Sequence, residues 1–216
     1  ALTCDFGTLH VQVDGPEDGP AVVYANSLGT DLRLWARVLP LLPAGLRHIR
    51  YDKRGHGLSG AGGGAVLHDH ADDAIAVIER VARGPVVFVG LSIGGLIGQV
   101  VASRRPDLVR ALVLSNTAAK LGTTESWQAR INAVTEGGLD SIADAVMERW
   151  FSPAFRTMPE LALWRAMLTR TPARGYTAAC EALAGADQTT ATAALRLPTL
   201  VIAGSDDGAS PTEMVK

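Results

Sequence analysis

Histidine is missing from most of this 216-residue chain: its five histidines are His10, His48, His56, His68 and His70, and none follows. Sulfur is scarce too. Cys4 and Cys180 are the two cysteines and lie far apart, so they form no disulfide framework and no metal-ligand spacing. Two reduced thiols in a cytoplasmic protein are the expectation. Neither charge sign dominates. A formal net charge of −2 leaves no basic field for nucleic acid. No apolar run approaches membrane-spanning length, so no membrane partner is expected. The opening residues, Ala1-Leu2-Thr3-Cys4-Asp5, have neither the basic region nor the apolar run of a signal peptide. What the chain does have is 47% hydrophobic residues, enough at this length for one sizeable core of helices on a sheet.

The most informative stretch is Val86-Val87-Phe88-Val89-Gly90-Leu91-Ser92-Ile93-Gly94-Gly95. Pro85 to Val89 reads as a buried parallel strand, apolar on both faces. From Leu96 onward, Leu96, Ile97, Val100 and Val101 repeat at helical spacing. A strand that becomes a helix within a few residues must turn sharply. Gly90 and Gly94 lack a Cβ, so the chain can cross itself there and hold Ser92 in a strained conformation. Gly-x-Ser-x-Gly alone is a weak signal in a chain with 23 glycines; between a strand and a helix it reads as a nucleophile elbow.

The rest of the chain supplies the setting. Leu9–Val13 alternates like a half-exposed antiparallel strand, and Ala21–Tyr24 reads as a central one. The polar loop Asn26-Ser27-Leu28-Gly29-Thr30-Asp31 follows, with Thr30 or Asp31 as a helix N-cap. Leu32, Leu34, Trp35, Val38 and Leu41 predict a short helix that Pro40 and Pro43 end early. Leu46–Tyr51 is a third strand. It runs into Asp52-Lys53-Arg54-Gly55-His56-Gly57, where Asp52, Arg54 and the glycines shape a tight loop rather than a catalytic pair. Ser59–Ala65 is glycine-rich and reads as the most flexible stretch. Ala71, Ala74, Ile75, Ile78 and Val81 define an amphipathic helix, with His68 and His70 read as surface capping residues rather than metal ligands; no metal is expected.

Ala111–Leu114 is the next strand, and it ends without a carboxylate in Ser115-Asn116-Thr117. Helical patterns then run to about Ala194, at Ile131/Val134, Ile142/Val146/Trp150, Leu161/Trp164/Leu168 and Tyr176/Cys180/Leu183, with breaks at Gly137-Gly138, Pro153, Pro159 and Pro172. Trp127, Trp150 and Trp164 lie here, mostly as helix–helix core, with a minority facing a cleft. Pro198–Gly204 is a late strand. The loop after it carries Asp207, the preferred third member of a triad, with Asp206 as the alternative. The expected fold class is α/β: a mostly parallel sheet flanked by helices, with a core over 1–119 and 195–216 and a helical cap over 120–194.

Taken together, the Asn26–Asp31 loop, Asp52-x-Arg54-Gly55-His56-Gly57, Gly90-Leu91-Ser92-Ile93-Gly94-Gly95 and Gly204-x-x-Asp207 resemble the α/β-hydrolase superfamily over essentially the whole chain. The narrower likeness is to the 3-oxoadipate enol-lactonases of aromatic-compound catabolism. It rests on Asn26-Ser-Leu-Gly-Thr-Asp in place of the usual His-Gly loop, and on Glu125-Ser-Trp-Gln-Ala-Arg-Ile131, Glu148-Arg-Trp-Phe151 and Gly175-Tyr-Thr-Ala-Ala-Cys180. The resemblance implies that Ser92 attacks a lactone carbonyl with Asp207 as triad acid, that Leu28 and Ile93 N–H groups hold the oxyanion, and that no cofactor is needed. It implies a small lactone carrying a carboxylate, for which Arg130, Arg33 and Arg54 are the candidate basic groups. Asn26, Ser27 and Trp127 complete the expected substrate-binding set.

The chain departs from that pattern in one respect. The family triad runs Ser, Asp, His, yet every histidine here precedes Ser92. The expectation is a catalytic histidine on further polypeptide, in a separate chain or beyond the residues given. The alternatives are another small carboxylester or lactone hydrolase, or a hydrolase fold that only binds a ligand. A dehalogenase would need a carboxylate where Ser92 stands.

Overall fold

The computed structural model describes residues 1–62 and 66–215. The chain opens with a two-stranded antiparallel ribbon, β1 (Leu2–Cys4) and β2 (Gly7–Leu9). The alternating segment predicted over Leu9–Val13 is thus split at His10. Its second part is β3 (Val11–Asp14), an edge strand antiparallel to β5 (Arg47–Tyr51). β4 (Ala21–Ala25) pairs in parallel with β5 and with β6 (Val86–Leu91). β7 (Val109–Ser115) lies beyond β6, and β8 (Thr199–Ile202) beyond β7, both parallel. The sheet order is therefore β3-β5-β4-β6-β7-β8.

The expected central strand is central because β4 is buried at every residue. Val23, Phe88 and Leu112 on adjacent strands are fully or almost fully buried, and burying each such side chain contributes about 1.5–3 kcal/mol. At the other margin, Leu200, Val201 and Ile202 of β8 are exposed by 58%, 48% and 45%, although their composition is that of a covered strand.

The helix expected after Asp31 is instead two 3-10 turns, Leu32–Trp35 and Leu39–Leu41. Pro40 inside the second turn explains the break, since it cannot donate to an α-helical ladder. The amphipathic helix α1 (Leu67–Val81) forms, and it buries Leu67, His70, Ala71, Asp73, Ala74, Ile75, Val77 and Ile78. Its acidic first turns are not uniformly solvated: Asp73 turns inward onto Arg54, at 2.7 Å. His70 is 2% exposed with both ring nitrogens unbonded. This corrects its reading as a surface cap; His68 is exposed as expected. Burial pushes the His70 imidazole down to about 3, with Lys53 and Arg54 adding to the shift, so it is neutral. Within the glycine-rich stretch, residues 63–65 lie outside the described residues. Its start is tied down, since Gly60 N–H donates to Thr8 O and Gly55 N–H to Gly60 O, each at 2.8 Å.

α2 (Ile93–Arg104) follows β6 and is buried along Ile93–Ala102. Between β7 and β8 come α3 (Thr124–Gly137), α4 (Asp140–Trp150), α5 (Pro153–Arg156), α6 (Leu161–Thr169), α7 (Ala173–Ala184) and α8 (Thr189–Ala194). The breaks fall where the sequence puts them. Gly138 ends α3 at φ +69°, Pro153 occupies the first turn of α5, and Pro172 precedes α7. A short α9 (Thr212–Val215) follows β8. No helix among the described residues is long and apolar enough to cross a membrane.

Candidate active site

β6 delivers Ser92 directly to the N-terminus of α2. Ser92 has φ 56° and ψ −121°, a region that L side chains rarely occupy and that costs on the order of 1–3 kcal/mol. The crossing that enforces it is tight. A Cβ at Gly90 would lie 2.3 Å from the Gly94 carbonyl oxygen, and one at Gly94 would lie 2.1 Å from that of Ala25. Both contacts are with backbone, so neither glycine position can hold a side chain without moving β4 or α2. Ser92 N–H donates to Ser115 O at 3.0 Å, and Thr117 Oγ1 donates to Ser92 O at 2.7 Å. The elbow is thereby pinned to the end of β7.

The loop after β4 runs past the same point. Asn26 is fully buried; its Nδ2 donates to Tyr51 O at 2.9 Å and its Oδ1 accepts from Trp35 Nε1 at 2.7 Å. It is a strut under the loop, bonded to the protein through both its Nδ2 and its Oδ1, and it lines neither cavity beside Ser92. Ser27 and Leu28 line the cavity beside Ser92. Among the described residues, neither Leu28 N–H nor Ile93 N–H donates to any group of the chain. Two unpaired backbone donors next to a nucleophile are what an oxyanion requires.

Asp207 lies in the loop after β8 and lines, with Ser92, a cavity of about 190 Å³. Its carboxylate accepts from Asn116 Nδ2 (2.7 Å), Ser210 Oγ (2.7 Å), Ala209 N–H (2.7 Å) and Ser210 N–H (3.2 Å). Burial raises its pKa, but these four donors outweigh that and hold it below the usual aspartate range. It is charged at neutral pH. Asp206 is exposed and lines neither cavity beside Ser92. Asn116 sits at φ 48°, a conformation Asn tolerates better than most side chains. It marks the strand end noted for lacking a carboxylate; it orients one instead. Sequence reasoning passed over it, although an amide at the end of the strand beside the elbow was the available signal.

A second cavity of about 280 Å³ adjoins Ser92 and is lined by Ser27, Leu28, Trp127, Arg130, Arg149, Trp150 and Tyr176, among others. Arg130 donates to Tyr176 Oη at 3.1 Å. Neither Arg130 nor Arg149 has a carboxylate partner among the described residues. Arg149 lies in the Glu148-Arg-Trp-Phe151 stretch but is not among the expected basic groups. It reaches the site because Gly208 N–H donates to Arg149 O at 3.1 Å, which ties the Asp207 loop to the end of α4.

The other expected basic groups lie elsewhere. Arg33 forks onto Asp31, two residues before it, at 2.6–3.2 Å, and lines a separate cavity with His10 and Asp52. Arg54 is half-buried against the buried Asp73, donating at 2.7 Å from both Nε and Nη2. The tight-loop reading of residues 52–57 holds: Asp52 accepts from Leu32 N–H, Leu58 N–H and His10 Nδ1, at 2.7–2.9 Å. The tryptophans exceed their expected role. Trp127, Trp150 and Trp164 each line a cavity at Ser92, while Phe151 also packs against Trp164 at 5.6 Å. No histidine among the described residues lines either cavity. His48 bonds Tyr24 Oη at 2.8 Å, and His56 is fully buried.

Comparison with known proteins agrees with this geometry. Residues 38–215 match the family described as serine aminopeptidase, S33. The 3-oxoadipate enol-lactonases 1 and 2 of Acinetobacter baylyi are 36% and 37% identical, over 93% and 95% of this chain and 76% and 78% of their own lengths. The crystal structure of the enol-lactonase from Burkholderia xenovorans LB400 superposes with a TM-score of 0.91 at 36% identity, covering 95% of this chain and 81% of that one. The strained serine between strand and helix, the sheet order and these likenesses together place the chain in the α/β-hydrolase family, as a hydrolase of carboxylic esters or lactones.

Proposed function

We propose that this protein opens an enol-lactone bearing a free carboxylate, of the 3-oxoadipate enol-lactone type, through an acyl-enzyme on Ser92. The observation that carries the reading is the cavity beside Ser92. It presents two guanidinium groups, Arg130 and Arg149, with no acidic partner among the described residues, and such a wall favours an anion over a neutral ester.

Ser92 Oγ attacks the lactone carbonyl carbon while its proton passes to a base. The carbonyl oxygen becomes an oxyanion between Leu28 N–H and Ile93 N–H, where removal of one donor typically costs about 2.7–4 kcal/mol. Collapse breaks the ring C–O bond. The leaving oxygen takes the proton as an enol, which becomes the ketone. Water then attacks the acyl-enzyme, releasing the second carboxylate and restoring Ser92. Asp207 orients and supports the base. An imidazole is the base this chemistry calls for; no histidine among the described residues lines either cavity beside Ser92.

The test uses the full-length protein. A fluorophosphonate should label it and fail to label Ser92→Ala, and turnover of the enol-lactone should exceed that of neutral aryl esters in kcat/KM. Equal or better turnover of the esters would assign a general carboxylesterase. Absence of labelling would leave a ligand-binding protein on a hydrolase fold.

A further inference from the structure

Lys53 is buried with 1% of its surface exposed, an expensive position for a strongly hydrated ammonium. Its Nζ donates to the Ser27 carbonyl oxygen at 2.7 Å. The same oxygen accepts from Thr30 Oγ1 at 2.8 Å and from Thr30 N–H at 3.3 Å. Three donors, one of them cationic, converge on a single carbonyl at the edge of the site.

That carbonyl and the Leu28 N–H are the two ends of one peptide unit. The unit is trans and planar, so its oxygen and its hydrogen point in opposite directions. Holding the Ser27 oxygen from the interior therefore fixes where the Leu28 N–H points. Leu28 faces the cavity that contains Ser92. A cation on the oxygen also draws electron density from the amide nitrogen and strengthens its hydrogen as a donor. The next peptide is fixed as well, because Gly29 N–H donates to His56 Nε2 at 3.1 Å. His56 Nδ1, 3.2 Å from Arg54 O, then carries the proton.

We propose that Lys53 is a positioning residue of the oxyanion site: acting through the Ser27–Leu28 peptide, its charge aims and strengthens the Leu28 N–H toward the oxygen that becomes negative. This rests on the reading of Ser92 as nucleophile and Leu28 N–H as oxyanion donor. The groups facing Lys53 are Asp52, Asp31, His56 and His70. Burial pushes its amine down to about 7, while Asp52 and Asp31 resist that fall. The cation is present below that range and lost above it, so the Leu28 donor weakens as pH rises through neutrality.

Two measurements on the full-length protein test this. In nitrogen-15 NMR, the Leu28 amide should titrate with the same midpoint as Lys53 Nζ, and the titration should vanish in Lys53→Met. Fluorophosphonate labelling of Ser92 should slow by about tenfold in Lys53→Met and less in Lys53→Gln, which keeps a neutral donor. A merely structural lysine would lower the melting temperature without coupling the Leu28 amide to its ionisation. Labelling of folded Lys53→Met at the wild-type rate, or a Leu28 amide indifferent to Lys53 ionisation, would overturn the proposal. Should either variant fail to fold, the wild-type titration decides. Failure of wild-type labelling would remove the nucleophile reading instead, and the amide titration would still report the Lys53–Leu28 coupling.

Discussion

Replacing Ser92 by glycine and by alanine should separate an elbow from an ordinary helix start, because the two geometries predict opposite signs. In ordinary backbone, glycine is less stable than alanine by roughly 0.5–1 kcal/mol, since it loses more conformational freedom on folding. At φ 56° and ψ −121° the balance changes. Alanine keeps the Cβ and the strain, on the order of 1–3 kcal/mol; glycine relieves it. Subtracting the entropic cost leaves Ser92→Gly more stable than Ser92→Ala by about 1 kcal/mol. In a domain of this size that is a difference of roughly 2–4 °C in melting temperature. Calorimetry on both variants measures it, with urea unfolding at 25 °C as a check. Both should be inactive, so any difference reports backbone alone. A Ser92→Gly protein that melts below Ser92→Ala would refute the strained elbow, and with it the geometric case for the nucleophile.

Further outcomes follow from the same structure. Asp207→Asn removes the charge that four donors hold and should lower kcat by about 10³–10⁴ while leaving KM nearly unchanged, read by steady-state kinetics. Asp207 is depressed in the folded state; its contribution is present above the unfolded aspartate value, about 3.9, and is lost as pH falls through its folded value. Between the unfolded value and the lower folded one, acid unfolding curves should therefore be flatter for Asp207→Asn than for wild type. Arg149→Ala and Arg130→Ala should each raise KM for the carboxylate-bearing lactone by roughly ten- to a hundredfold, the worth of a hydrogen bond to a charged group, with little change for a neutral aryl ester. Arg54→Ala strands Asp73 in the interior, and breaking a buried pair typically costs about 3–5 kcal/mol, which thermal melts would show.

Local signals were legible wherever they repeat along the chain. The apolar runs of β4, β6 and β7 and the helical spacing in α3, α4, α6 and α7 follow from burying one face or both, a requirement written into residue order. The elbow was legible for the same reason: two glycines at fixed spacing around a serine permit a crossing that other residues forbid. Asp207 could be placed after a late strand, and the choice over Asp206 followed from one residue of spacing. Contacts across the fold were not legible. Nothing in the order of residues says that Asn116 meets Asp207, that Arg149 reaches the cavity while Arg33 folds back on Asp31, or that Lys53 lies under the Ser27 carbonyl. Those pairings depend on which side chains the sheet order brings together, and a guanidinium, an amide or an ammonium takes its role from the partner it finds there. Sequence fixes which chemistry is available at each strand end; tertiary packing decides which groups are already occupied and which remain free to meet a substrate.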